Sequence, residues 1–238
     1  MAQDGKPDHA QTLLIDLDDT LCENNIYFER AIAEFITFLN HREMSVPEVR
    51  QVLNQVERES IVKHGYGLHS FAHSLVETFE RLSVETITPA LHQRIWGFAH
   101  RIAEQPMEII AGVPETLDYL TKRHHLLIVT KGNITEQSGK IERSGLKVFF
   151  SAVEIVAEKS PHAYNGLIDK YGLATESTWM VGNSPKSDIN PALAAGLNAV
   201  FVPHDQTWIL EHEELAAVPT RSQRLLQLDR FIQLREHF

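Results

Sequence analysis

Three carboxylates, Asp16, Asp18 and Asp19, crowd into the pentad Asp-Leu-Asp-Asp-Thr at the end of a short apolar run that begins at residue 11. Such a run predicts a buried strand that delivers acidic side chains at its carboxyl end, where α/β enzymes place their chemistry. Carboxylates this close repel one another unless a proton or a cation compensates their charge, and a hard divalent cation with oxygen ligands does so. Acidic turns and calcium loops share this pentad, so a purely structural interpretation stays open at this point.

Two later segments offer donors for a phosphate group. Thr130 and Lys131 begin the segment Thr-Lys-Gly-Asn, which follows an apolar run and precedes a helical pattern. A hydroxyl, an ammonium and flexible backbone at such a place form a nest suited to phosphate oxygens. Lys159 precedes Ser160 and Pro161, a helix cap and first helical residue, so it lies beside a helix N-terminus. Lys159 is therefore a second position that favours an anion.

Asp188 completes this set. It ends the segment Val-Gly-Asn-Ser-Pro-Lys-Ser-Asp at 181–188, which continues an apolar run. Thr130, Lys159 and Asp188 follow one another at intervals of 29 residues, about the length of one strand–helix unit. Since the carboxyl ends of parallel strands meet at one edge of a sheet, we expect these residues to lie close together. Asp188 is then the natural third carboxylate for a metal.

Strands and helices alternate in the pattern beyond Gly112, which predicts a parallel sheet covered by helices. The predicted elements are helices near 114–123, 134–144, 161–171 and 188–195, and strands at 126–129, near 148–156, at 179–181 and at 199–202. The apolar run at residue 11 belongs to the same sheet. We therefore expect an α/β fold with a Rossmann-like three-layer core. The apolar residues between 225 and 234 predict a final amphipathic helix.

Residues 22–106 differ from the rest of the chain because helical periodicity runs through them without a convincing strand. Breaks at Val46-Pro47, Gly65-Tyr66-Gly67 and Thr88-Pro89 divide the segment into about four helices. This pattern predicts an all-α cap inserted after the first strand. The expected domains are a catalytic core, residues 1–21 and 107–238, and a helical cap domain, residues 22–106.

The pentad at 16–20, Thr130, Lys159 and the segment Gly-Asn-Ser-Pro-Lys-Ser-Asp at 182–188 resemble, in order, the four motifs of the haloacid dehalogenase superfamily. The resemblance spans residues 11 to about 203 and is closest to phosphatases of the phosphoglycolate phosphatase type, which carry an inserted helical cap. It implies that Asp16 attacks phosphorus. It also implies that Asp18 protonates the leaving group and then activates water.

The resemblance also implies the residues that bind the phosphoryl group and the metal. Thr130 and Lys159 would hold the phosphoryl group, with Lys131 as a further contact. Mg²⁺ would be held by the carboxylates of Asp16, Asp18 and Asp188. Asn183 is a tentative addition to the site, since it stands where the family's fourth motif often has Asp and thus removes one negative charge near the metal.

The function implied is magnesium-dependent hydrolysis of a small phosphate monoester through an aspartyl-phosphate intermediate. Phosphoglycolate, sugar phosphates and nucleoside monophosphates are candidate substrates. Members of the superfamily that cleave carbon–halogen bonds lack an acid two residues after the nucleophile, so Asp18 disfavours dehalogenation. Two alternatives stay open: a phosphomutase of the same superfamily, and a catalytically silent binding or regulatory protein with this fold.

Composition narrows the possible partners. A net charge of −10 disfavours sequence-independent binding to nucleic acid, which depends on Lys and Arg. The single cysteine, Cys22, cannot form an internal disulfide, and no apolar stretch suits a secretory signal or a membrane span. We expect a cytoplasmic protein whose partner is a small phosphorylated metabolite. The pattern predicts no particular oligomeric state.

Two further clusters favour structural interpretations. His69 and His73 lie four residues apart on a predicted helix and could bind zinc, but the sequence shows no third ligand at a suitable spacing. Packed or solvated histidines are therefore preferred, although the turn at 65–67 could contact a substrate. The acidic run at 211–214 predicts a solvated helix face.

Overall fold

A computed structural model describes residues 6–7, 9–41 and 43–238 of the chain. Six strands form one parallel sheet in the order β3-β2-β1-β4-β5-β6. The strands are β1 (Thr12–Ile15), β2 (His125–Lys131), β3 (Ala152–Val156), β4 (Thr178–Gly182), β5 (Asn198–Phe201) and β6 (Leu225–Gln227). The first strand in sequence is thus central, which confirms the expectation that it joins the sheet built by the later part of the chain.

Helices cover both faces of this sheet. They are α5 (Val113–Thr121), α6 (Ile134–Ser144), α7 (Pro161–Tyr171), α8 (Asn190–Ala194) and α9 (Leu234–His237). Alternate residues of β1 point to opposite faces: Leu13 and Ile15 join the core that includes α5, whereas Leu14 joins the core that includes α7. A strand buried on both sides requires the apolar run that the sequence supplies. This arrangement confirms the three-layer, Rossmann-like α/β fold.

The segment between β1 and α5 in the chain is helical. Its helices are α1 (Asn25–Leu39), α2 (Val46–His64), α3 (Leu68–Leu82) and α4 (Pro89–Ala103). Pro47 and Pro89 lie in the first turns of α2 and α4, where a missing N–H costs nothing. Ser45 and Thr88 cap these helices, as the breaks in the sequence predict. An apolar core of its own, with Phe35 against Phe98 at its centre, holds the four helices together.

The chain divides into two compact units, one formed by Met1–Glu23 and Met107–Phe238 and the other by Asn24–Pro106. The predicted assignment of 1–21 and 107–238 to a catalytic core and of 22–106 to a cap domain stays a prediction in functional terms. Residues 1–5 and 8 of that core lie outside the described residues. Among the described residues, no helix is both long and apolar enough to cross a membrane.

Three elements differ from the sequence patterns. The expected final helix is wrong over Leu225–Gln227, which is the edge strand β6 paired with β5. The region near 148–156 starts with a 3-10 turn, Leu146–Phe149, and only then enters β3. The helix expected near 188–195 starts earlier, with a π-helical turn at Pro185–Ile189. At Leu225–Gln227, pairing with β5 outweighs the helical pattern of the sequence. In the other two regions a 3-10 turn shortens the strand and a π-helical turn changes the start of the helix.

Candidate active site

The site lies at the carboxyl ends of β1, β2 and β4. Asp16 follows β1 directly, and its backbone N–H donates to the carbonyl of Val181 on β4 at 3.0 Å. This bond extends the sheet by one residue and fixes the direction of the carboxylate. Asp16 is buried, with 7% of its surface exposed. The sequence prediction of a strand that presents an acid at its end therefore describes Asp16 correctly.

Lys159 lies between two buried carboxylates. Its Nζ donates to Oδ1 of Asp16 at 2.5 Å and to Oδ1 of Asp188 at 2.6 Å. Both are charge-assisted hydrogen bonds in a place that water does not reach, since the Lys159 side chain is 2% exposed. The expectation that residues about 29 apart meet at one edge of the sheet holds for Lys159 and Asp188.

Burial dominates the electrostatics of this Lys159 cluster, by which we mean Lys159, Asp16 and Asp188. Burial raises the pKa of Asp16 to about 7. The ammonium of Lys159 opposes this rise, but the negative charge of Asp188 partly cancels its effect. The pKa of Lys159 is lowered by burial, but the two carboxylates outweigh that effect and raise it overall. One ammonium thus serves two carboxylates, and the cluster retains an excess of negative charge.

The loop after β4 positions Asp188 through its backbone. The N–H of Ser184 donates to Oδ2 of Asp188 at 2.9 Å, and the hydroxyl of Ser184 caps the π-helical turn through the N–H of Ser187. Gly182 is required here, because a Cβ atom at this position would lie 2.2 Å from Oδ2 of Asp188. The glycine of the Gly-Asn-Ser-Pro-Lys-Ser-Asp segment is thus explained by close approach of a side chain.

Thr130 ends up fully buried at the end of β2, and its hydroxyl has no hydrogen-bond partner among the described residues. A buried hydroxyl without a partner costs about 1–3 kcal/mol, so its presence needs a reason. Thr20 and Asn183 contact each other near Asp16, since the Thr20 hydroxyl lies 3.4 Å from Oδ2 of Asp16. That hydroxyl donates to Oδ1 of Asn183 at 3.2 Å, and Nδ2 of Asn183 donates to Thr207. Asn183 is thus held by two threonines.

Asp18 points to other partners than Asp16. Lys140 Nζ lies 2.9 Å from both Oδ1 and Oδ2 of Asp18, and Nε2 of Gln137 donates to Oδ2 at 2.9 Å. Both partners are on α6, the helix that follows Thr130. Neither residue belongs to the four motifs. Their spacing of three residues on one helix face is the only signal that could have found them.

Lys131 is engaged by a glutamate from far along the chain. Its Nζ lies 2.7 Å from Oε1 of Glu211 and donates to Oγ of Ser187 at 2.8 Å. The other Glu211 oxygen accepts from the hydroxyls of Ser184 at 2.7 Å and Ser187 at 2.5 Å. These contacts lower the pKa of Glu211 to about 2, against the opposing effect of burial. The expectation of a solvated helix face at 211–214 is wrong for Glu211, which is buried.

A model of haloacid dehalogenase-like hydrolases matches residues 10–196, which include every residue of the site except Glu211 and Thr207. This chain belongs to the haloacid dehalogenase-like hydrolases. The membership confirms the resemblance inferred from the four motifs. It makes the protein a hydrolase whose expected substrate is a small molecule. A comparison with curated proteins finds no match.

Solved structures of this family share the fold of the hydrolase. A haloacid dehalogenase-like family hydrolase from Xanthomonas campestris is 29% identical, with a TM-score of 0.80, over 95% of this chain and 93% of that chain. A predicted phosphoglycolate phosphatase from Haemophilus somnus is 19% identical, with a TM-score of 0.62, over 94% and 96%. An L-2-haloacid dehalogenase from Xanthobacter autotrophicus is 14% identical, with a TM-score of 0.64, over 95% and 97%. The last two show the fold alone.

Hydrolases of this family generally use Mg²⁺, and the donor chemistry around the Lys159 cluster fits this ion. Asp16 and Asp188 offer carboxylate oxygens and Asn183 offers an amide oxygen, all hard ligands. The excess negative charge of the cluster also favours a cation. The predicted third carboxylate, Asp18, is turned toward Lys140 and Gln137, so the structure brings together two of the three predicted metal carboxylates.

A second acidic group in the described part of the chain has metal-ligand chemistry. One ligand atom each from Asp19, Glu23 and His204 lies within 4.8 Å of the others. His204 Nε2 is 3.3 Å from Glu23 Oε2, and His204 Nδ1 is 3.9 Å from Asp19 Oδ1. Asp19 adopts a positive φ of 58°. An acidic group of this kind is common without an ion, and the sequence analysis had not singled out His204.

Cys22 lies close to the nucleophile loop but carries no features of a reactive thiol. It is 1% exposed. Burial, reinforced by the negative charge of Asp18, raises the pKa of its thiol to about 12. A thiol attacks as its thiolate, so a group with this pKa is unreactive near neutral pH. Cys22 is therefore a packed thiol.

Proposed function

We propose that the protein hydrolyses small phosphate monoesters with Mg²⁺, through an aspartyl phosphate formed on Asp16. The observation that carries this proposal is the buried carboxylate of Asp16, placed at a strand end beside the ammonium of Lys159 and near the carboxylate of Asp188. Transfer of a phosphoryl group requires mainly positioning and charge neutralisation, and this cluster has groups suited to both.

In the first step, an oxygen of Asp16 attacks phosphorus while the bond from phosphorus to the leaving oxygen breaks. Asp18 gives its proton to that leaving oxygen, so it must enter this step protonated. In the second step, Asp18 takes a proton from water, the water oxygen attacks phosphorus, and the carboxylate of Asp16 is released with inorganic phosphate. Gln137 and Lys140 set the direction of Asp18 as a carboxylate, so in this proposal Asp18 must exchange its contact with Lys140 for a proton before the first step.

The phosphoryl oxygens would be bound by Lys159 and by the hydroxyl of Thr130. Substrate binding gives that buried hydroxyl the partner that the described residues do not provide. Asp16, Asp188 and Asn183 would hold the magnesium, whereas the predicted contribution of Asp18 would require it to leave Lys140 and Gln137. When bound, the ion neutralises charge on the phosphoryl oxygens. Lys131 has Glu211 and Ser187 as partners, so its proposed contact with phosphate would require an exchange of partners.

Asp18 separates this proposal from dehalogenation. Dehalogenation through an ester on a carboxylate needs a nucleophile but no acid for a leaving halide, whereas an alkoxide leaving group needs a proton. The acid two residues after Asp16, held by two side chains of α6, therefore favours phosphate monoesters. The proposed division of labour is that residues 1–21 and 107–238 carry the chemistry while the helical segment 22–106 selects the leaving group.

The test is release of inorganic phosphate from p-nitrophenyl phosphate and a panel of metabolite phosphates, with and without Mg²⁺. We expect magnesium-dependent turnover that Asp16→Asn and Asp18→Asn abolish and that Asp118→Asn leaves unchanged. Asp118 is an exposed control on α5, in a surface pair with Lys122. Halide release from a 2-haloacid in the absence of any phosphatase activity would replace the proposal by dehalogenation. Conversion of a hexose 1-phosphate to its 6-phosphate without phosphate release would identify a phosphomutase.

A further inference from the structure

The helical unit contains a histidine cluster that the sequence pattern only half reveals. The ring of His73 on α3 lies 4.6 Å, centroid to centroid, from the ring of His69 one turn earlier. It also lies 4.7 Å from the ring of His64, the last residue of α2, and is stacked on it at 14°. His64 and His69 are 6.4 Å apart. Three imidazoles thus meet at the junction of α2 and α3.

The fold explains why His64 arrives there. The turn between α2 and α3 contains two glycines, Gly65 and Gly67, whose φ angles are positive, at 73° and 125°. The turn reverses the chain within three residues, so the end of α2 returns beside the first turns of α3. His69 and His73 share one face of α3 because they are four residues apart. The turn therefore brings a third imidazole, that of His64, beside His69 and His73, which the spacing along the chain does not reveal.

Trp96 of α4 packs edge-on against two of these rings, 5.2 Å from His69 and 5.3 Å from His73, both between centroids. His92 stacks on the same indole at 5.5 Å, one turn before it on α4. An indole wall on one side limits the directions that the imidazoles can take. It also places an intrinsic fluorophore within a few ångströms of the histidine cluster, which makes occupancy measurable.

The chemistry of the three side chains suits a metal. An imidazole binds a metal through a ring nitrogen of its neutral form, and one cation can bind several rings at once.

We propose that His64, His69 and His73 form a binding site for a borderline transition-metal cation of the Zn²⁺, Ni²⁺ or Cu²⁺ class. Imidazole nitrogen suits these ions, whereas Mg²⁺ prefers oxygen, so this site is chemically distinct from the carboxylate site of the other unit. His64 and His69 are exposed. Binding requires their rings to rotate out of the stacked arrangement, so that one nitrogen of each faces the ion. One water molecule takes the fourth position of a tetrahedral ligand set whose other three positions are the histidines.

Calorimetric titration of the metal-stripped full chain with Zn²⁺, and with Cu²⁺ followed by Trp fluorescence, tests this site. We expect one Zn²⁺ to bind to the three histidines more tightly than a single imidazole would bind it. We also expect Cu²⁺ to quench the Trp fluorescence, and Trp96→Phe to remove this quenching without removing Cu²⁺ binding. Loss of even an outer-sphere partner weakens metal binding by about 10–100-fold. His73→Gln and His69→Gln should therefore weaken it by at least about tenfold, while His162→Gln, an exposed histidine on α7, serves as the matched control.

A spectrum of the Cu²⁺-loaded wild type gives an answer that needs no variant. Coordination by imidazoles produces nitrogen hyperfine splitting in electron paramagnetic resonance, whereas a carboxylate site does not. Nitrogen splitting that disappears in the triple variant His64→Gln, His69→Gln, His73→Gln supports the site. Zn²⁺ affinity unchanged in that triple variant, or oxygen-only coordination in the wild type, would overturn it.

Discussion

Two lysines at the same sheet edge, the buried Lys159 and the half-buried Lys131, make similar contacts with opposite consequences. In the Lys159 cluster, one ammonium is shared by Asp16 and Asp188, and the pKa of Asp16 is raised to about 7. In the Lys131 cluster, made of Lys131, Glu211, Ser184 and Ser187, the pKa of the glutamate falls to about 2. Distances alone do not distinguish them, since the lysine–carboxylate contacts are 2.5–2.7 Å in both.

The difference lies in how many charges and donors each carboxylate receives. Glu211 accepts from one ammonium and two hydroxyls, so its negative charge is well compensated. Asp16 shares its ammonium with a second buried carboxylate and, within the part of the chain that the structure describes, its side chain otherwise accepts only a long contact from Thr20, at 3.4 Å. The arrangement around Glu211 stabilises the structure. The charge of the arrangement around Asp16 is under-compensated, which suits the proposed binding of a cation and a phosphoryl group there.

The largest effect should come from Asp16 itself. Asp16→Asn removes the proposed nucleophile, and phosphatase turnover should fall by at least about 10³-fold, since loss of a nucleophile is among the costliest changes an enzyme undergoes. Folding should survive, because the amide relieves repulsion with Asp188 in the cluster. Steady-state phosphate release and a thermal melt measure the two properties. Retained turnover in a folded variant would contradict the assignment of Asp16.

Lys159→Met should damage stability as well as activity. It leaves Asp16 and Asp188 buried without their shared ammonium, and removal of one partner of a buried ion pair typically costs about 3–5 kcal/mol. Urea unfolding measures the loss. The double variant Lys159→Met, Asp188→Asn should recover part of it, since one buried charge is gone. Lys122→Met in an exposed pair is the control and should change stability by less than about 1 kcal/mol.

Glu211→Gln should reduce stability by about 2 kcal/mol, because charge-assisted hydrogen bonds to Lys131, Ser184 and Ser187 are weakened. The pKa of Glu211 falls from 4.5 to about 2 on folding, so its carboxylate stabilises the native state above pH 4.5 and that contribution is lost as the pH falls toward 2. The gap in unfolding free energy between wild type and variant should narrow over that window. An equal gap at pH 7 and pH 3 would exclude this origin. The exposed neighbour Glu214→Gln is the control.

Thr130→Val should have the smallest effect on stability and the opposite sign. Its unpaired buried hydroxyl is replaced by an isosteric methyl, so the free energy of unfolding should rise by up to about 1 kcal/mol. The KM for a phosphate ester should nevertheless increase by about tenfold, since one hydrogen bond to phosphate is lost. Thr116→Val is a matched control on α5, because its hydroxyl is likewise buried without a partner among the described residues. It should stabilise the protein without changing KM.

The sequence could predict which residues meet at the edge of the sheet, because the carboxyl ends of parallel strands lie side by side. Asp16, Lys159 and Asp188 were found in this way, and the apolar β1 run required a central strand. Glu211 could not be found, because it arrives through a long irregular connection after β5 whose path has no periodicity. Lys140 and Gln137 depend on how α6 is rotated about its axis, which packing against the sheet decides.

Local patterns also failed where tertiary pairing competed with them. Leu225, Leu226 and Leu228 fit a helical face with the residues that follow, yet Leu225–Gln227 pairs with β5 at the edge of the sheet. The spacing of His69 and His73 does not reveal His64 as a neighbour, because spacing along the chain says nothing about the direction of a turn. The glycines at 65 and 67 were visible, but their positive φ angles were not.

The central position of β1 determines the order in which the protein can fold during synthesis. Thr12 pairs with His125 on one side and with Thr178 on the other, so both neighbours leave the ribosome long after β1. At about 5–20 residues per second, the delay before the second neighbour is on the order of ten seconds. The whole helical unit, Asn24–Pro106, is synthesised within that interval and has its own core. Leu13–Ile15 have no sheet partners during that interval, so this apolar strand stays open to wrong pairing or to binding by a chaperone until β2 and β4 are made.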